Sequence, residues 1–234
     1  MQVIAFDIKS SIAHFRKPDT TTTHLTYPFI TPTAAKGMVG AILGEEDFTT
    51  SDRVGIRLLK PVRTMAQQMS MLGKIGGATC DTYNRPTTME LLVSPAYRIY
   101  YAGEEYAEKL YHQIREGKAV YPTYLGSAFA LTKPVNPQKL DAEHSDSLKN
   151  KLVQSLTVVP VPVIEELELV EDAHYCRANG FLRYYTGNRH FEKSVDYLYE
   201  QNGKSITFKP KSIETFKEEA VSLFSTEEGS LCLL

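Results

Sequence analysis

The 234-residue sequence has no tryptophan and only three cysteines, Cys80, Cys176 and Cys232, which lie far apart. An odd number of widely spaced thiols does not make a disulfide framework, and no zinc-ligand spacing is present. No hydrophobic run has the length of a membrane span, and the first residues lack the basic region and cleavage site of a signal peptide. We therefore expect a cytoplasmic protein with reduced thiols and no membrane association.

The sequence also lacks the short motifs that mark common nucleotide-using and hydrolytic enzymes. It contains no phosphate-binding loop, no dinucleotide fingerprint and no Gly-x-Ser-x-Gly elbow. Its six histidines are scattered, with no pair at the i, i+4 spacing of a helical metal site. We therefore expect no metal ion and no cofactor.

The formal net charge of −2 argues against a nucleic-acid-binding protein, whereas the distribution of charge argues for one. Residues 53–98 carry two acidic side chains, Asp81 and Glu90, against seven basic ones, Arg53, Arg57, Lys60, Arg63, Lys74, Arg85 and Arg98. A local basic stripe matters more for phosphate contact than the total charge of the chain. The alternative is a sheet with a solvated basic face.

Hydrophobic patterning predicts an α+β protein. The strand patterns lie at residues 3–9, 53–66 and 89–101, and the helix patterns lie at residues 32–44 and 102–117. This order is most of a βαββαβ unit, the ferredoxin-like sandwich that RNA-recognition domains also use. We place its closing strand within residues 152–163, or alternatively 127–131, and a loop at 134–147.

Two further parts complete the predicted organisation. Within the core, residues 1–130, the polar and glycine-containing stretch at 72–90 indicates a long hairpin, or thumb, that projects from the sheet. Residues 131–234 form a smaller, β-rich C-terminal extension. Its terminal helix is predicted from one apolar face and should pack on the core; that face consists of Ile213, Phe216, Ala220, Leu223 and Phe224.

The stretch at residues 26–44 is the element around which the rest is organised. Thr31 can cap a helix, and Pro32 suits its first turn. The N-terminus of such a helix exposes unpaired N–H groups, and Lys36 lies one turn further on. Two interpretations are open: a seat for a phosphate group, or a packing helix with an exposed lysine.

Two other segments combine cations with aromatic rings. Residues 117–127 contain Lys118, Tyr121 and Tyr124, and they can bring backbone N–H groups and an aromatic face to a nucleotide. The alternative is a turn whose tyrosines pack on the core. Residues 175–193 contain Arg183 among aromatic residues, either as a surface for an RNA backbone or a protein, or as a strand pair with arginines over tyrosines.

Metal-independent cleavage of RNA would require an acid and a base beside the 2′-hydroxyl group. Lys118 with Tyr121 is the only compact candidate, and no histidine stands beside them. His14 or His24 could approach from the polar loop at residues 10–24. Sequence spacing alone does not bring them there.

Three stretches, taken in order, resemble motifs of one known family. They are YPFITPTAAKG at residues 27–37, MELLVSPAYRIY at 89–100 and YPTYLG at 121–126. Over about residues 1–130 the sequence resembles the Cas-five family of CRISPR-associated proteins, part of the RAMP superfamily, and it is most similar to the type I-B branch.

The resemblance implies a ferredoxin-like core with a thumb in a subunit of Cascade, the RNA-guided surveillance complex. Such a subunit binds and caps the 5′ handle of the crRNA in antiviral defence. It implies the Cas-seven backbone subunit and the Cas-eight large subunit as partners, and target DNA indirectly through the complex. It assigns no catalytic residue, since a separate enzyme usually cuts the precursor.

The type I-C branch of the family supplies an alternative function, that of a metal-independent endoribonuclease. Members of that branch offer a histidine just before the Tyr-Leu-Gly stretch and an aromatic residue after the first helix. Here those neighbourhoods read Lys-Ala-Val-Tyr at residues 118–121 and Gly-Glu-Glu at 44–46. A third interpretation is a protein-interaction module on the same fold.

The binding role leads to a specific set of expected contacts. Lys36 and the start of its helix hold phosphate, with Arg16 and Lys17 closing over it, and the thumb wedges between guide nucleotides. The tyrosines at 121 and 124 shape the handle pocket. The predicted RNA-binding residues are Arg16, Lys17, Thr31, Thr33, Lys36, Lys74, Arg85, Lys118, Tyr121, Tyr124, Gly126 and Arg183.

Overall fold

The computed structural model describes residues 1–20, 22–46, 48–74, 82–145, 152–188 and 190–234. Within these ranges the helices are α1 Pro32–Leu43, α2 Ala107–Arg115 and α3 Ile213–Glu218, with a 3-10 turn at Val161–Val163. The strands are β1 Gln2–Lys9, β2 Ile12–Ala13, β3 Arg53–Leu58, β4 Thr64–Lys74, β5 Thr82–Val93, β6 Ala96–Ala102, β7 Val135–Asp141, β8 Glu143–His144, β9 Val153–Ser155, β10 Val159–Pro160, β11 Ile164–Leu167, β12 Tyr175–Tyr185, β13 Phe191–Glu200, β14 Ile206–Pro210, β15 Ser222–Thr226 and β16 Gly229–Leu233. The predicted α+β class is confirmed.

A four-stranded antiparallel sheet of the described chain, in the order β3-β6-β1-β7, lies at the centre of the fold. Successive side chains of a strand point to opposite faces of a sheet. On β1, Ile4 and Phe6 join the core cluster that contains the buried face of α1 and α2. Val3 and Ala5 join a second cluster, formed with β15 and β16. The central sheet is therefore covered on both faces.

The closing strand of this sheet is β7, and not residues 152–163 or 127–131 as the sequence predicts. β7 pairs with β1 antiparallel, from Gln2 opposite Asp141 to Asp7 opposite Val135. It occupies an edge of the sheet and Leu140 is its one buried side chain, so its pattern is too polar to mark a strand. Residues 134–147 were therefore wrongly predicted to be a loop.

The strand predicted at residues 89–101 is two strands. Ser94 adopts a left-handed conformation with φ of +48°, and a proline follows it. Proline offers no N–H to a ladder, so the pairing stops here. The residues before Ser94 belong to β5, and those after it to β6, which lie in different sheets.

The helix α1 forms as the sequence predicts. The Thr31 hydroxyl accepts a hydrogen bond from the N–H of Ala34 at 3.1 Å, and Pro32 opens the first turn. Gly44 ends the helix in a left-handed conformation with φ of +83°, which glycine adopts without a steric penalty. Met38, Val39 and Ile42, among others, are buried against the sheet and α2.

The thumb is a hairpin of β4 and β5, paired from Thr64 opposite Leu92 to Lys74 opposite Thr82. Short strand β2 joins it at the base. Leu91 and Leu92 are buried there, whereas the side chains of residues 82–86 further along the hairpin are exposed. The hairpin begins at Thr64, earlier than the predicted start of the thumb at residue 72. Residues 75–81 and the side chain of Lys74, which were part of the predicted thumb, lie outside the described residues.

An aromatic cluster attaches the segment before α1 to the hairpin of β12 and β13. The ring of Tyr27 lies 4.3 Å from that of Phe181, and the ring of Phe29 lies 4.9 Å from it. The rings of Tyr197 and Tyr199 also pack against Phe29, both in an edge-to-face arrangement. The Tyr27 hydroxyl also donates a hydrogen bond to the carbonyl of Gly180. The start of α1 is thereby fixed against β12.

The C-terminal part differs from the predicted terminal helix. The helix α3 ends at Glu218, and Ala220 has a left-handed φ of +44°. Leu223 and Phe224 lie on β15 and join opposite core clusters, as neighbouring residues of a strand do. Apolar spacing fitted a helix as well as a strand, and the pairing of β15 with β16 selects the strand. The division of the chain at residue 130 stays a prediction.

Arg98 ties three parts of the fold together and does not belong to a basic surface. Its guanidinium donates to Asp7 on β1 at 2.8 Å and to both carboxylate oxygens of Glu228 at 2.5 and 3.1 Å. The hydroxyl of Tyr100 donates to Glu228 at 2.7 Å, and Gln138 on β7 also accepts from Arg98. Arg98 is 8% exposed. Arg98 is therefore not part of the basic surface predicted over residues 53–98.

We expect Arg98→Met to lower the free energy of unfolding by about 2 to 3 kcal/mol, because it removes the cation that pairs with Asp7 and leaves Glu228 only the longer contact with Arg57 at 3.9 Å. Urea denaturation measures the change. Lys209→Met is the matched control, since Lys209 pairs with Glu165 at 3.0 Å on the surface, where such a pair contributes below about 1 kcal/mol. Equal losses in the two variants would contradict a structural role for Arg98.

Candidate nucleic-acid interface

A cavity of about 710 Å³ opens beside the first turns of α1. Thr33 and Lys36 from α1 line one side, and Arg183 from β12 lines the other. We call it the cationic cavity, because two of its walls carry a positive charge. The carboxylate of Glu45 also lines it, but that carboxylate binds the ammonium group of Lys109 at 3.2 Å.

Lys36 is partly buried, and among the described residues its ammonium group has no hydrogen-bond or ion-pair partner. Burial, and then the charge of Arg183, lower its pKa to about 8; Asp52 partly offsets this shift and Arg53 adds to it. Asp52 accepts a hydrogen bond from Tyr101. A partly buried cation without an ion-pair partner costs free energy, so an anion bound beside Lys36 would stabilise it.

Arg183 is the second cation of the cavity, and it is 5% exposed. Its guanidinium donates to the carbonyl of Glu219 at 3.1 Å and lies 4.9 Å from the ring centre of Tyr184. In the part of the chain that the structure describes, no carboxylate pairs with it. The segment is thus a strand pair with an arginine over a tyrosine, and it also brings that arginine to Lys36.

A second cavity of about 470 Å³ adjoins the first and shares Thr33, Ala34 and Phe191 with it. Its lining includes the rings of His14 and His24, and we call it the histidine cavity. Together the two cavities bring six of the predicted residues to one side of α1: Arg16, Thr31, Thr33, Lys36, Gly126 and Arg183.

Two of these six residues have clear structural tasks as well. The Thr31 hydroxyl caps α1 and lies 3.0 Å from the Thr33 hydroxyl. Gly126 has φ of +82°, and a Cβ atom there would lie 2.0 Å from the carbonyl oxygen of His14. Only glycine permits this close approach.

The other predicted residues lie elsewhere. Lys17 lines a separate cavity with Arg63 and Arg177, and its ammonium group lies 6.0 Å from the ring centre of Tyr27. Arg85 is exposed on β5, opposite Met71.

Lys118 and Tyr121 lie at the far end of α1. The N–H of Tyr121 donates to the carbonyl of Ala41, near the C-terminus of the helix, roughly 14 Å along its axis from Pro32. The ammonium group of Lys118 binds Glu116 at 2.6 Å, and the Tyr121 hydroxyl lies 3.3 Å from Glu46. Tyr124, nearby in sequence, is half exposed. These residues do not share the two cavities.

The two histidines are the lining residues that sequence reasoning did not place. Their rings stack with centres 6.4 Å apart. Nδ1 of His14 lies 2.8 Å from the carbonyl oxygen of Glu90, and burial lowers the pKa of His14. Burial and the charges of Arg16, His14 and Arg85 lower the pKa of His24. Ten residues separate the histidines in the sequence, and no periodicity signals their contact.

The thumb also contributes to the histidine cavity. Met69 and Met71 of β4 and Met89 of β5 line it.

Within the described ranges, no cluster of three or more His, Cys, Asp or Glu side chains could hold a metal ion. No helix in those ranges has the length and apolarity needed to cross a membrane.

The family model described as CRISPR-associated protein (Cas_Cas5) matches residues 3–150, well over half of the chain. The chain belongs to this Cas-five family of CRISPR-associated proteins. No curated protein matches it.

Two solved structures share the fold of this Cas-five protein. A CRISPR protein from Archaeoglobus fulgidus superposes with a TM-score of 0.59 at 12% identity, over 99% of this chain and 98% of that one. A chain described as part of a CRISPR RNA-guided surveillance complex gives a TM-score of 0.53 at 12% identity, over 86% and 91%. At this identity the likeness concerns the fold alone.

We expect Gly126→Ala to destabilise the protein by about 3 kcal/mol or more, because the new methyl group meets a backbone carbonyl and the left-handed conformation becomes strained. Gly37→Ala is the control: nothing lies within 4 Å of its Cβ position, and alanine should add about 0.5 to 1 kcal/mol to a helix. Urea midpoints of the two variants should move in opposite directions. A neutral Gly126→Ala would show that the loop is not held against His14.

Proposed function

We propose that this Cas-five protein is a non-catalytic, RNA-binding subunit of Cascade in a type I CRISPR system, and that it caps the 5′ handle of the crRNA. The observation that carries the proposal is the cationic cavity, in which Lys36 and Arg183 face one space without a carboxylate partner among the described residues. Family membership supports the system, and the fold shared with a chain of an RNA-guided surveillance complex supports the assembly.

The central sheet of this subunit is a ferredoxin-like core. Support comes from the strand order β3-β6-β1-β7, all antiparallel, with α1 and α2 as the two crossovers. This is the topology of a βαββαβ unit in which the first and third strands are central. The type I-B assignment depends on the three sequence stretches alone.

Phosphate is the anion that suits the cationic cavity. Single-stranded RNA offers one negative charge per nucleotide, and cations that neutralise it release counterions, which favours binding. A phosphate beside Lys36 also removes the penalty of holding an unpaired, partly buried ammonium group. Guanidinium groups bind phosphate through charge-assisted hydrogen bonds, and Arg183 lines the same cavity as Lys36.

The protein neighbours that we propose are the Cas-seven backbone subunit and the Cas-eight large subunit. Exposed apolar side chains at Val120, Phe129 and Leu131 are 54%, 48% and 65% accessible, and they lie within a short stretch of chain. Such groups commonly mark a protein contact. Target DNA would then be met only through the complex.

The alternative function is that of an endoribonuclease of the type I-C kind, centred on Lys118 and Tyr121. The cavity around these two residues has no histidine in its described lining, which runs through residues 114–134. Lys118 is already paired with Glu116. Both observations favour a binding role over a catalytic one.

We expect Lys36→Ala to weaken the binding of single-stranded handle RNA and to reduce the slope of log K against log salt by about 0.7, the value for one phosphate contact. Fluorescence anisotropy at several salt concentrations measures the slope. Lys209→Ala, a change on β14 outside the lining of both cavities, should leave it unaltered. Lys118→Ala, in the same series, decides whether the far end of α1 also contacts RNA. An unchanged slope in Lys36→Ala would remove the cationic cavity from the interface.

We expect no site-specific cutting when the purified protein is incubated with repeat RNA in the presence of a chelator. Denaturing gels of the RNA over several hours provide the measurement, with Lys118→Ala as the matched control. A discrete product that disappears in Lys118→Ala would establish the endoribonuclease and overturn the non-catalytic role.

A further inference from the structure

We infer that the histidine cavity binds one unstacked nucleobase of the RNA, and that Nε2 of His14 accepts a hydrogen bond from an N–H group of that base. The inference deepens the proposed RNA-binding function and depends on it. The cationic cavity would contact only phosphate, whereas His14 would contact a base directly.

The hydrogen bonding of His14 fixes the state of its ring. A carbonyl oxygen only accepts hydrogen bonds, so the nitrogen that lies 2.8 Å from the Glu90 carbonyl, Nδ1, carries the proton. In the neutral ring Nε2 is then an acceptor with a free lone pair. Burial favours this neutral form, because it lowers the pKa of His14.

Nε2 is an acceptor that lacks a partner. His14 is 4% exposed, and among the described residues no group donates a hydrogen bond to Nε2. Buried polar groups are nearly always satisfied, so an exception in a cavity wall needs an explanation. All four RNA bases present an amino or imino N–H on their Watson–Crick edges, and such a donor would satisfy Nε2.

The rest of the cavity suits a planar, aromatic ligand. Phe15, Phe129 and Phe191 line it together with the ring of His24, and base–aromatic stacking is a common source of affinity for single strands. Nε2 has no accessible surface, so a base must displace a neighbouring side chain to reach it. Met69 and Met71 line the same cavity and are unbranched and adaptable.

The position of the cavity matches the geometry of a nucleotide. It shares Thr33, Ala34 and Phe191 with the cationic cavity, so the two form adjoining compartments of unlike chemistry. A ribose joins the phosphate and the base of a nucleotide. A phosphate at Lys36 and Arg183 would therefore place the attached base at the mouth of the histidine cavity.

The test compares four short RNA probes with the same backbone: oligoadenylate, oligocytidylate, oligouridylate and an abasic oligomer. We expect the wild-type protein to bind the three base-bearing probes more tightly than the abasic probe, and about fivefold of this spread should come from the hydrogen bond to Nε2. His14→Phe keeps the ring and should narrow the spread between base-bearing and abasic probes by about that factor, while affinity for the abasic probe and the salt dependence stay unchanged. His112→Phe, on the exposed face of α2, should preserve the spread.

A second measurement needs no variant and covers the case in which His14→Phe fails to fold. In protein labelled with ¹⁵N histidine, the Nε2 resonance of His14 should shift with base-bearing probes and stay in place with the abasic probe. Binding of all probes with an unchanged spread in His14→Phe, or a static Nε2 resonance, would overturn the base-binding site and leave the proposed function intact. Failure of every probe to bind at low salt would overturn both.

Discussion

The packing of Tyr27 and Phe29 against Phe181 determines where the two cations of the cationic cavity lie. These rings are 4.3 to 4.9 Å apart, and they join the segment before α1 to a hairpin far away in the chain. Aromatic pairs of this kind add about 0.5 to 1.5 kcal/mol beyond their buried area. Together with the hydrogen bond from Tyr27 to Gly180, they offset the repulsion between Lys36 and Arg183 and hold both residues at one cavity.

This arrangement exchanges stability for binding. Packing places two cations in one space, and the pKa of Lys36 falls, first because of burial and then because of the charge of Arg183. Sites that hold uncompensated charge destabilise the free protein, and the ligand that neutralises them recovers that free energy on binding. The same reasoning applies to the lone acceptor on His14. The cations that would bind a polyanion are thus already in place in the free protein.

Sequence reasoning was reliable where the signal is local. The cap at Thr31, the proline in the first turn of α1 and the hairpin of the thumb all follow from residue types within a few positions of one another. It failed where tertiary pairing decides. β7 is an edge strand with little apolar content, and the pattern at residues 213–224 fits both a helix and a strand. Arg98 looks like a surface cation until Glu228 closes over it.

In the candidate site too, local sequence signals predicted some residues, and tertiary packing decided where the others lie. Lys36 could be singled out from its place in the first turns of a capped helix. Arg183 was named for a basic and aromatic cluster, and only the packing of β12 on the start of α1 brings it to Lys36. The histidine cavity assembles the segment after β2, the thumb and the loop at Gly126, which no periodicity connects. Lys118 and Tyr121 carried an equally good sequence signal, yet they lie at the other end of the helix.

The most direct test of the cationic cavity is the number of protons that the protein takes up when it binds RNA. The pKa of Lys36 is about 8, so at pH 8 about half of these groups are neutral, and a neighbouring phosphate would protonate them. Calorimetric titration in buffers of different ionisation enthalpy should therefore show an uptake of about 0.5 proton at pH 8. Uptake through this group should shrink towards zero as the pH falls well below 8, and it should be absent in Lys36→Arg. No uptake at pH 8, or equal uptake in Lys36→Arg, would contradict the binding of phosphate at Lys36.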